Sequence, residues 1–177
     1  MLRMHYTDRL VLAAARKQDA RAIFDFYATD IEVCRYLTFR PHTHIEETQT
    51  YLDRCKAEWA TGERFAFTIR RQADAGLIGM ISYAKNSPHR VGFGYVLSRA
   101  HWGQGYMTEA LRKLIEVAFE DPKVYRAEAT CDVENRASAR VMEKCGMQYE
   151  GTLRRHTILP NISDIPRDVH CYARIRT

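Results

Sequence analysis

The feature that most constrains the fold is a change of hydrophobic period in the middle of the chain. From Met107 to Ala118 the apolar residues recur at the i, i+4, i+7 spacing of an amphipathic helix, which needs a sheet on which to lie. The segment before it holds three runs rich in β-forming residues, separated by turn residues: Phe65 to Arg70, Gly76 to Tyr83 and Arg90 to Leu97. Such a series predicts an antiparallel meander. The chain therefore predicts a mixed α/β sheet.

Further elements are predicted on both sides of this centre. Thr43 followed by Glu46 resembles a capping box for a helix that runs to about Ala60 and ends at Gly62. The other predicted elements are a strand over Leu10 to Ala14, short helices over Asp19 to Tyr27 and Asp30 to Leu37, a strand over Arg126 to Cys131, a helix over Arg136 to Cys145, and strands over Met147 to Leu153 and Val169 to Ile175.

Composition bounds the protein class. The 177 residues, 46% of them hydrophobic and 28% charged, suit one globular domain over residues 1–177. No apolar run approaches the roughly 20 residues of a bilayer span and no signal peptide is recognisable, so a cytoplasmic protein without a membrane partner is expected. The five scattered cysteines lack a C-x-x-C pair, which indicates reduced thiols, and no metal site is expected.

The turn before the central helix carries the clearest functional signal. It reads Trp102-Gly103-Gln104-Gly105-Tyr106-Met107-Thr108. Two glycines at a helix start let a ligand approach the backbone, and the first-turn N–H groups suit an anion such as a pyrophosphate. A plain connecting turn is the alternative. The third glycine of a dinucleotide fold and the G-K-[ST] of a P-loop are both missing, which favours another phosphorylated cofactor. The net charge of +5 suits an anionic partner without choosing one.

A second group of polar residues follows the next strand. Asn135 is placed to cap a helix with Ser138 on its first turn, and capping alone accounts for both residues in one interpretation. In the other, the Asn135 amide pairs with a peptide-like ligand and the Ser138 hydroxyl donates a proton. The residues alone leave both interpretations open.

Taken together, these motifs resemble the GNAT acetyltransferase superfamily, and within it the branch of ribosomal-protein N-terminal acetyltransferases. The resemblance covers nearly the whole chain. It implies a mixed, mostly antiparallel central sheet with a splayed parallel pair in the middle and helices on both faces. The motifs that carry it are Asp8-Arg9-Leu10-Val11-Leu12, Gly94-Tyr95, Trp102 to Ala110, Asn135-x-x-Ser138, Glu143 to Met147, Glu150-Gly151 and Arg167-Asp168 to Tyr172.

The resemblance implies acetyl-coenzyme A as co-substrate and direct attack by an amine. A backbone N–H near Val96 or Leu97 would stabilise the oxyanion, and Ser138 would protonate the leaving thiolate. Asn135 and Ser138 are the implied catalytic residues. The implied cofactor-binding residues are Tyr95, Val96, Leu97, Trp102, Gly103, Gln104, Gly105, Tyr106, Met107, Thr108, Asn135 and Ser138.

The proton acceptor and the acceptor amine stay open. Thr157 stands where some members of the branch carry a glutamate, and a small packing residue is the favoured interpretation of Cys131. A protein N-terminus is the leading acceptor; a small amine such as a polyamine, an aminoglycoside or an amino-acid-like compound, and a non-catalytic module for coenzyme A or RNA, are the alternatives. Nucleic acid is not expected, and a homodimer is left open. The candidate bases are Glu32, Glu128, Asp132, Glu150 and His156.

Overall fold

The computed structural model describes residues 4–176, in which eight strands form one sheet with the order β1-β2-β3-β4-β5-β6-β8-β7. Neighbouring strands are antiparallel except for the parallel pair of β5 and β6. The expected antiparallel meander, the strand expected over Arg126 to Cys131 and the mixed sheet are confirmed. The strands are β1 Met4–Tyr6, β2 Leu10–Ala14, β3 Arg64–Arg71, β4 Leu77–Ser87, β5 Arg90–Leu97, β6 Arg126–Asp132, β7 Gln148–Leu159 and β8 Ser163–Ile175.

The parallel pair separates halfway along its length. Its register runs from Arg90 opposite Arg126 to Phe93 opposite Ala129 and stops there. Strand β5 continues to Leu97 while bonded to β4 on its other side, and β6 continues to Asp132 while bonded to β8. The expected splayed pair is confirmed, and it leaves the edge of β5 from Gly94 onward without a ladder partner toward β6.

Helices cover both faces of the sheet, as expected. One face carries α4 and α5, and the fully buried Leu111, Leu114 and Ile115 of α4 pack there with apolar residues of β2 to β5. The other face carries α1 and α3, where Leu52 and Cys55 share a second core cluster with residues of β3 and β4. The helices are α1 Ala20–Ile23, α2 Ile31–Cys34, α3 Ile45–Thr61, α4 Tyr106–Phe119 and α5 Arg136–Lys144.

The segment before α3 differs from the two short helices predicted over Asp19–Tyr27 and Asp30–Leu37. A 3₁₀ turn at Lys17–Asp19 leads into α1, a π-turn follows at Phe24–Ala28, and α2 is only one turn long. The π-turn widens the helix, so that the consecutive Tyr27 and Ala28 are both buried. A periodicity of 3.6 residues does not reveal such a turn.

The start of α3 also differs from prediction, whereas its end does not. The capping box of α3 is formed by His44 and Glu47, one residue later than the predicted Thr43 and Glu46. Glu47 Oε1 still accepts from Thr43 Oγ1 at 2.8 Å, so the predicted cap residue takes part in the same cluster. Gly62 ends the helix with a φ of 74°, as expected.

The residues from Leu153 to Asp168, which the prediction leaves as a loop between two strands, form a long hairpin. Strands β7 and β8 pair as far as Leu159 opposite Ser163, with a bulge between Leu153 and Thr157. At the bulge Arg155 has a φ of 49°, and its N–H donates to Asp168 Oδ1 at 2.8 Å. Most side chains of β7 are exposed and polar, so the sequence lacks the apolar alternation that marks a strand. The short strand β1 was missed because its three residues are too few to show a period.

An ion pair between β6 and β8 holds the turn that leads into α5. Arg167 Nε and Nη2 lie 2.6 and 3.0 Å from the two Asp132 carboxylate oxygens, and the Asp132 side chain is 0% exposed. The Glu134 N–H donates to the same carboxylate at 2.9 Å. Burial opposes ionisation of Asp132, but these hydrogen bonds outweigh it and lower its pKa. Asp132 is therefore a structural anion and a poor proton acceptor.

Replacing Arg167 by methionine should destabilise the fold by about 3 kcal/mol at pH 7, because it leaves a buried carboxylate without its cation. The folded-state pKa of Asp132 lies below its ordinary value of 3.8, so the pair stabilises the protein above that pH and loses its effect as the pH falls through the folded pKa. The difference between Arg167→Met and wild type should therefore be full at pH 7 and shrink as the pH is lowered below 3.8, to a second measurement near pH 3. Urea unfolding at both pH values measures it.

Arg21→Met is the matched control, because Arg21 pairs with Asp25 on the surface with a side chain that is 77% exposed. Its effect should stay below about 1 kcal/mol. Equal losses for the two variants at pH 7 would contradict the assignment of Asp132 and Arg167 as a buried structural pair.

Candidate active site

The start of α4 forms an open cradle of backbone N–H groups. Gly103 and Gly105 have φ values of 73° and 80°, a region that glycine enters without strain. A Cβ on Gly103 would meet nothing within 4 Å, and one on Gly105 would meet only Arg9 Nη2 at 3.5 Å. Within residues 4–176 no side chain caps this helix, whereas Asp30 caps α2 and Asn135 caps α5. The first-turn N–H groups and the helix dipole are therefore available to an anion.

Side chains of the same turn serve mainly to shape it. Trp102 Nε1 donates to the carbonyl of Leu97 at 2.7 Å, and Gln104 Nε2 donates to Ala100 at 3.0 Å. Leu97 therefore already uses its carbonyl within the protein. Met107 is buried in the core beneath the helix start. Met107 and Thr108 offer a ligand their backbone N–H groups.

The free edge of β5 lies beside this cradle. Beyond the last pair with β6, Tyr95 and Val96 keep their bonds to β4 and turn their other edge toward the gap. An extended, amide-containing ligand can pair with such an edge through main-chain hydrogen bonds. The structure thus brings the predicted strand edge and the predicted glycine turn to one place.

Two hydroxyls meet across the gap. Ser138 Oγ lies 2.8 Å from the Tyr95 hydroxyl, which also lies 3.2 Å from the Ser138 carbonyl. Asn135 Oδ1 accepts from the Ser138 N–H at 3.1 Å, so Asn135 is the cap that fixes Ser138. Burial raises the pKa of Tyr95, so its hydroxyl stays protonated at neutral pH. The pair can pass a proton toward the gap.

Sequence reasoning missed this contact between Tyr95 and Ser138. It assigned Tyr95 to cofactor binding through the backbone of its strand, whereas the Tyr95 side chain reaches across to α5. The two residues are 43 positions apart, and no spacing rule links a strand residue to the helix after the next strand. The capping of α5 by Asn135, in contrast, follows the expected pattern.

Cys131 lies close to this pair at the end of β6. Its side chain is buried, and burial together with the neighbouring Asp132 raises the pKa of its thiol to about 11. A thiol with such a pKa stays protonated and is a weak nucleophile. Its environment is that of a packing residue.

A groove opens on the sheet face opposite α4 and α5. Its lining from the two parallel strands includes Gly92, Gly94, Glu128 and Thr130. Side chains alternate along a strand, and the neighbouring Val91 and Ala127 belong to the core under α4. The groove has a volume of about 760 Å³ and runs to the β7–β8 hairpin. A smaller cavity of about 100 Å³, lined by Leu37, Phe39 and Tyr51 among others, adjoins it, and Gly94 lines both.

The tip of the β7–β8 hairpin is bonded to the segment that lines the smaller cavity. Asn161 Nδ2 donates to the carbonyls of Cys34 and Phe39 at 2.6 and 2.8 Å. These bonds connect the β7–β8 turn to the last residue of α2 and to the segment that follows it. The bonded residues are 127 and 122 positions apart in the chain. Sequence reasoning missed this connection because no local pattern links a turn to backbone carbonyls more than 100 positions away.

The candidate proton acceptors occupy different environments. Glu150 accepts from Arg126 Nη1 at 2.9 Å, and its hydrogen bonds with Arg126 lower its pKa. Glu128 accepts from Arg126 Nε at 2.8 Å and from Asn86 Nδ2 at 3.0 Å. Both carboxylates line the groove, as does the exposed His156. Glu32 is exposed on α2 and lines neither cavity.

Comparison with known proteins agrees with this geometry. Residues 9–148 match the family described as acetyltransferase (GNAT) domain. The chain belongs to the GNAT acetyltransferase family. It is therefore an N-acetyltransferase that uses acetyl-coenzyme A, as the sequence resemblance implied. The uncapped cradle beside an unpaired strand edge suits the pyrophosphate and the amide-containing arm of that co-substrate. Residues 4–176 contain no helix long and apolar enough to cross a membrane.

Individual GNAT relatives cover the chain to different extents. The uncharacterized N-acetyltransferase YoaA of Bacillus subtilis is 30% identical over 96% of this chain and 95% of its own. The ribosomal-protein-serine acetyltransferase of Escherichia coli is 35% identical over 56% of this chain and 55% of its own.

Solved structures match the GNAT fold over nearly the full length. A GNAT-family acetyltransferase from Bacillus anthracis matches with a TM-score of 0.85 at 25% identity, covering 98% of both chains. RimL, a ribosomal L7/L12 α-N-protein acetyltransferase in complex with coenzyme A, matches with a TM-score of 0.87 at 23% identity, covering 98% of both chains.

The positive φ of Gly105 makes a prediction about stability. Gly105→Ala should lower the free energy of unfolding by about 1–2 kcal/mol, because an L side chain is strained in the left-handed region. Gly94→Ala is the matched control: its Cβ would meet only Ser82 Oγ at 3.9 Å, and its φ lies outside that region. Denaturant unfolding should show Gly94→Ala as stable as wild type or more so. The reverse order would contradict the strained conformation at Gly105.

Proposed function

We propose that this enzyme acetylates the α-amine at the N-terminus of a protein or peptide. The observation that carries the proposal is the groove that runs from Gly94, beside the free strand edge, to the hairpin. Its volume of about 760 Å³ suits several residues of an extended chain better than one small amine. The names of the Escherichia coli relative and of RimL support the same acceptor class.

The charges of the groove argue against the runner-up acceptor, a polyamine. Arg64, Arg90 and Arg126 line it together with Glu128 and Glu150. Both carboxylates are already bound by Arg126, so neither is free for a second cation. A compact polycation would meet repulsion there, whereas a peptide presents one amine and a polar backbone.

The proposed reaction joins the two faces of the sheet through the gap between β5 and β6. Acetyl-coenzyme A supplies the thioester, and its carbonyl carbon is attacked directly by the amine. The N–H groups at the start of α4, from Gly103 to Thr108, would hold the pyrophosphate, and the edge at Tyr95 and Val96 would pair with the pantetheine arm. A backbone N–H at Val96 or Leu97 would stabilise the oxyanion.

Ser138 is the proposed proton donor to the leaving thiolate. Its N–H is fixed by Asn135, and the hydroxyl of Tyr95, 2.8 Å away, can replace the proton that it donates. The amine must lose its own proton before attack, and the open groove gives it access to water and to His156.

We further propose that the whole chain is one acetyltransferase domain working in the cytoplasm. The family match ends at residue 148, but the sheet continues through β8, which pairs with β6 in its middle. The cysteines are free thiols, which are typical of a reducing compartment.

A substrate panel tests the proposed acceptor class. Short peptides with a free N-terminus, the same peptides with a blocked N-terminus and a lysine, and spermidine are compared by thiol release from acetyl-coenzyme A. We expect kcat/KM for free-N-terminus peptides to exceed that for the other two by at least tenfold. Preference for spermidine, or for the blocked peptide with a lysine, would replace this acceptor assignment.

The role of Ser138 gives a second prediction. Ser138→Ala should lower kcat by about 10²-fold, the low end of general-acid effects, and leave the Kd for coenzyme A within a few-fold. Tyr95→Phe should lower kcat less, because the serine hydroxyl remains. Steady-state kinetics and calorimetry measure the two quantities. A normal kcat in a Ser138→Ala protein would leave the hydroxyl with a structural role only.

A further inference from the structure

The turn between β1 and β2 is tied to the first turn of α4. Glu109 Oε1 accepts from Thr7 Oγ1 at 2.5 Å and from the Arg9 N–H at 2.9 Å. Glu109 Oε2 lies 2.7 Å from both Arg9 Nε and Arg9 Nη2. Arg9 belongs to the Asp8–Leu12 motif, for which the proposed reaction supplies no role.

Glu109 places a negative charge beside the anion cradle. Burial opposes its ionisation, but the hydrogen bonds from Thr7 and Arg9 outweigh it and lower its pKa. Its side chain is 18% exposed, so water screens the charge only in part. An unpaired carboxylate four residues after Gly105 would cancel part of the positive potential at the helix start and repel a pyrophosphate. The cradle therefore needs a compensating cation.

Arg9 reaches the cradle itself as well as Glu109. Its Nη1 donates to the Gln104 carbonyl at 3.1 Å, and its guanidinium lies 4.4 Å from the centre of the Tyr106 ring. Its Nη2 is the atom that a Cβ on Gly105 would meet. One side chain thus contacts the residues on both sides of Gly105 and the carboxylate one turn further on.

We propose that Arg9 is a positioning residue for the co-substrate: it neutralises Glu109 and thereby keeps the start of α4 attractive to the pyrophosphate. The inference rests on the proposed assignment of the cradle to acetyl-coenzyme A. It gives Arg9 of the Asp8–Leu12 motif a function in binding, although β2 lies three strands away from β5 in the sheet.

A series of binding measurements on variants that remove or keep each charge tests the proposal. Calorimetry with coenzyme A compares wild type, Arg9→Met, Arg9→Lys, Glu109→Gln and the double variant Arg9→Met/Glu109→Gln. Arg9→Met should bind at least fivefold more weakly, because the Glu109 charge is exposed to the pyrophosphate. Arg9→Lys and the double variant should both return to within threefold of wild type, because neither leaves that charge uncompensated.

The salt dependence of coenzyme A affinity distinguishes this role from a merely structural one, which salt would not affect. The loss in Arg9→Met should shrink between 50 and 500 mM salt, since added ions screen a charge repulsion. Arg21→Met is the matched control, because Arg21 lies in α1, on the other face of the sheet from α4, and pairs there with Asp25 on the surface. It should keep wild-type affinity at both salt concentrations.

The possible failures are distinguishable. If the double variant binds as weakly as Arg9→Met, at every salt concentration, Arg9 supports only the fold of the turn and the inference is wrong. If Arg9→Met binds as wild type does, Glu109 has no influence on the site and the inference is also wrong. If wild type does not bind coenzyme A, the proposed use of the cradle fails first.

Discussion

The parallel pairing of β5 and β6 stops at Phe93 and Ala129, and the functional geometry depends on that interruption. Because the two strands run the same way, their carboxyl ends lie at one edge of the sheet, and the helices that follow them, α4 and α5, both begin there. Separation of the strands opens a gap between these two helix starts. The gap gives an unpaired strand edge on one side and access to the opposite groove through the sheet.

Polar contacts hold the elements around this gap in fixed positions. The ion pair of Asp132 and Arg167 fixes the turn before α5, and the contact between Tyr95 and Ser138 connects β5 to α5 across the opening. The bond from Trp102 to the Leu97 carbonyl shapes the turn before α4. Each contact satisfies a partly or fully buried polar group, so the opening costs few unpaired hydrogen-bonding groups.

Charge is balanced differently at the two helix starts. At α5 the N–H groups are used within the protein, since Asn135 and Asp132 accept from them or from the turn before them. At α4 no described side chain competes for the N–H groups, and the one carboxylate close by is paired with Arg9. This difference between two otherwise similar strand-to-helix turns separates the structural cap of α5 from the anion site proposed at α4.

The sequence by itself determined the order of most elements, the glycine turn and the capping of α5, because these depend on residues only a few positions apart. Apolar spacing, two glycines before a helix and an Asn three residues before Ser138 are local patterns with local consequences. The contact of Tyr95 with Ser138, the pairing of Arg9 with Glu109 and the connection from Asn161 to Cys34 join residues 43 to 127 positions apart. Only the tertiary structure decided these contacts, because side chains meet across elements only after the sheet has set their register. The exposed polar residues of β7 also carry no apolar period that would reveal how far the strand extends.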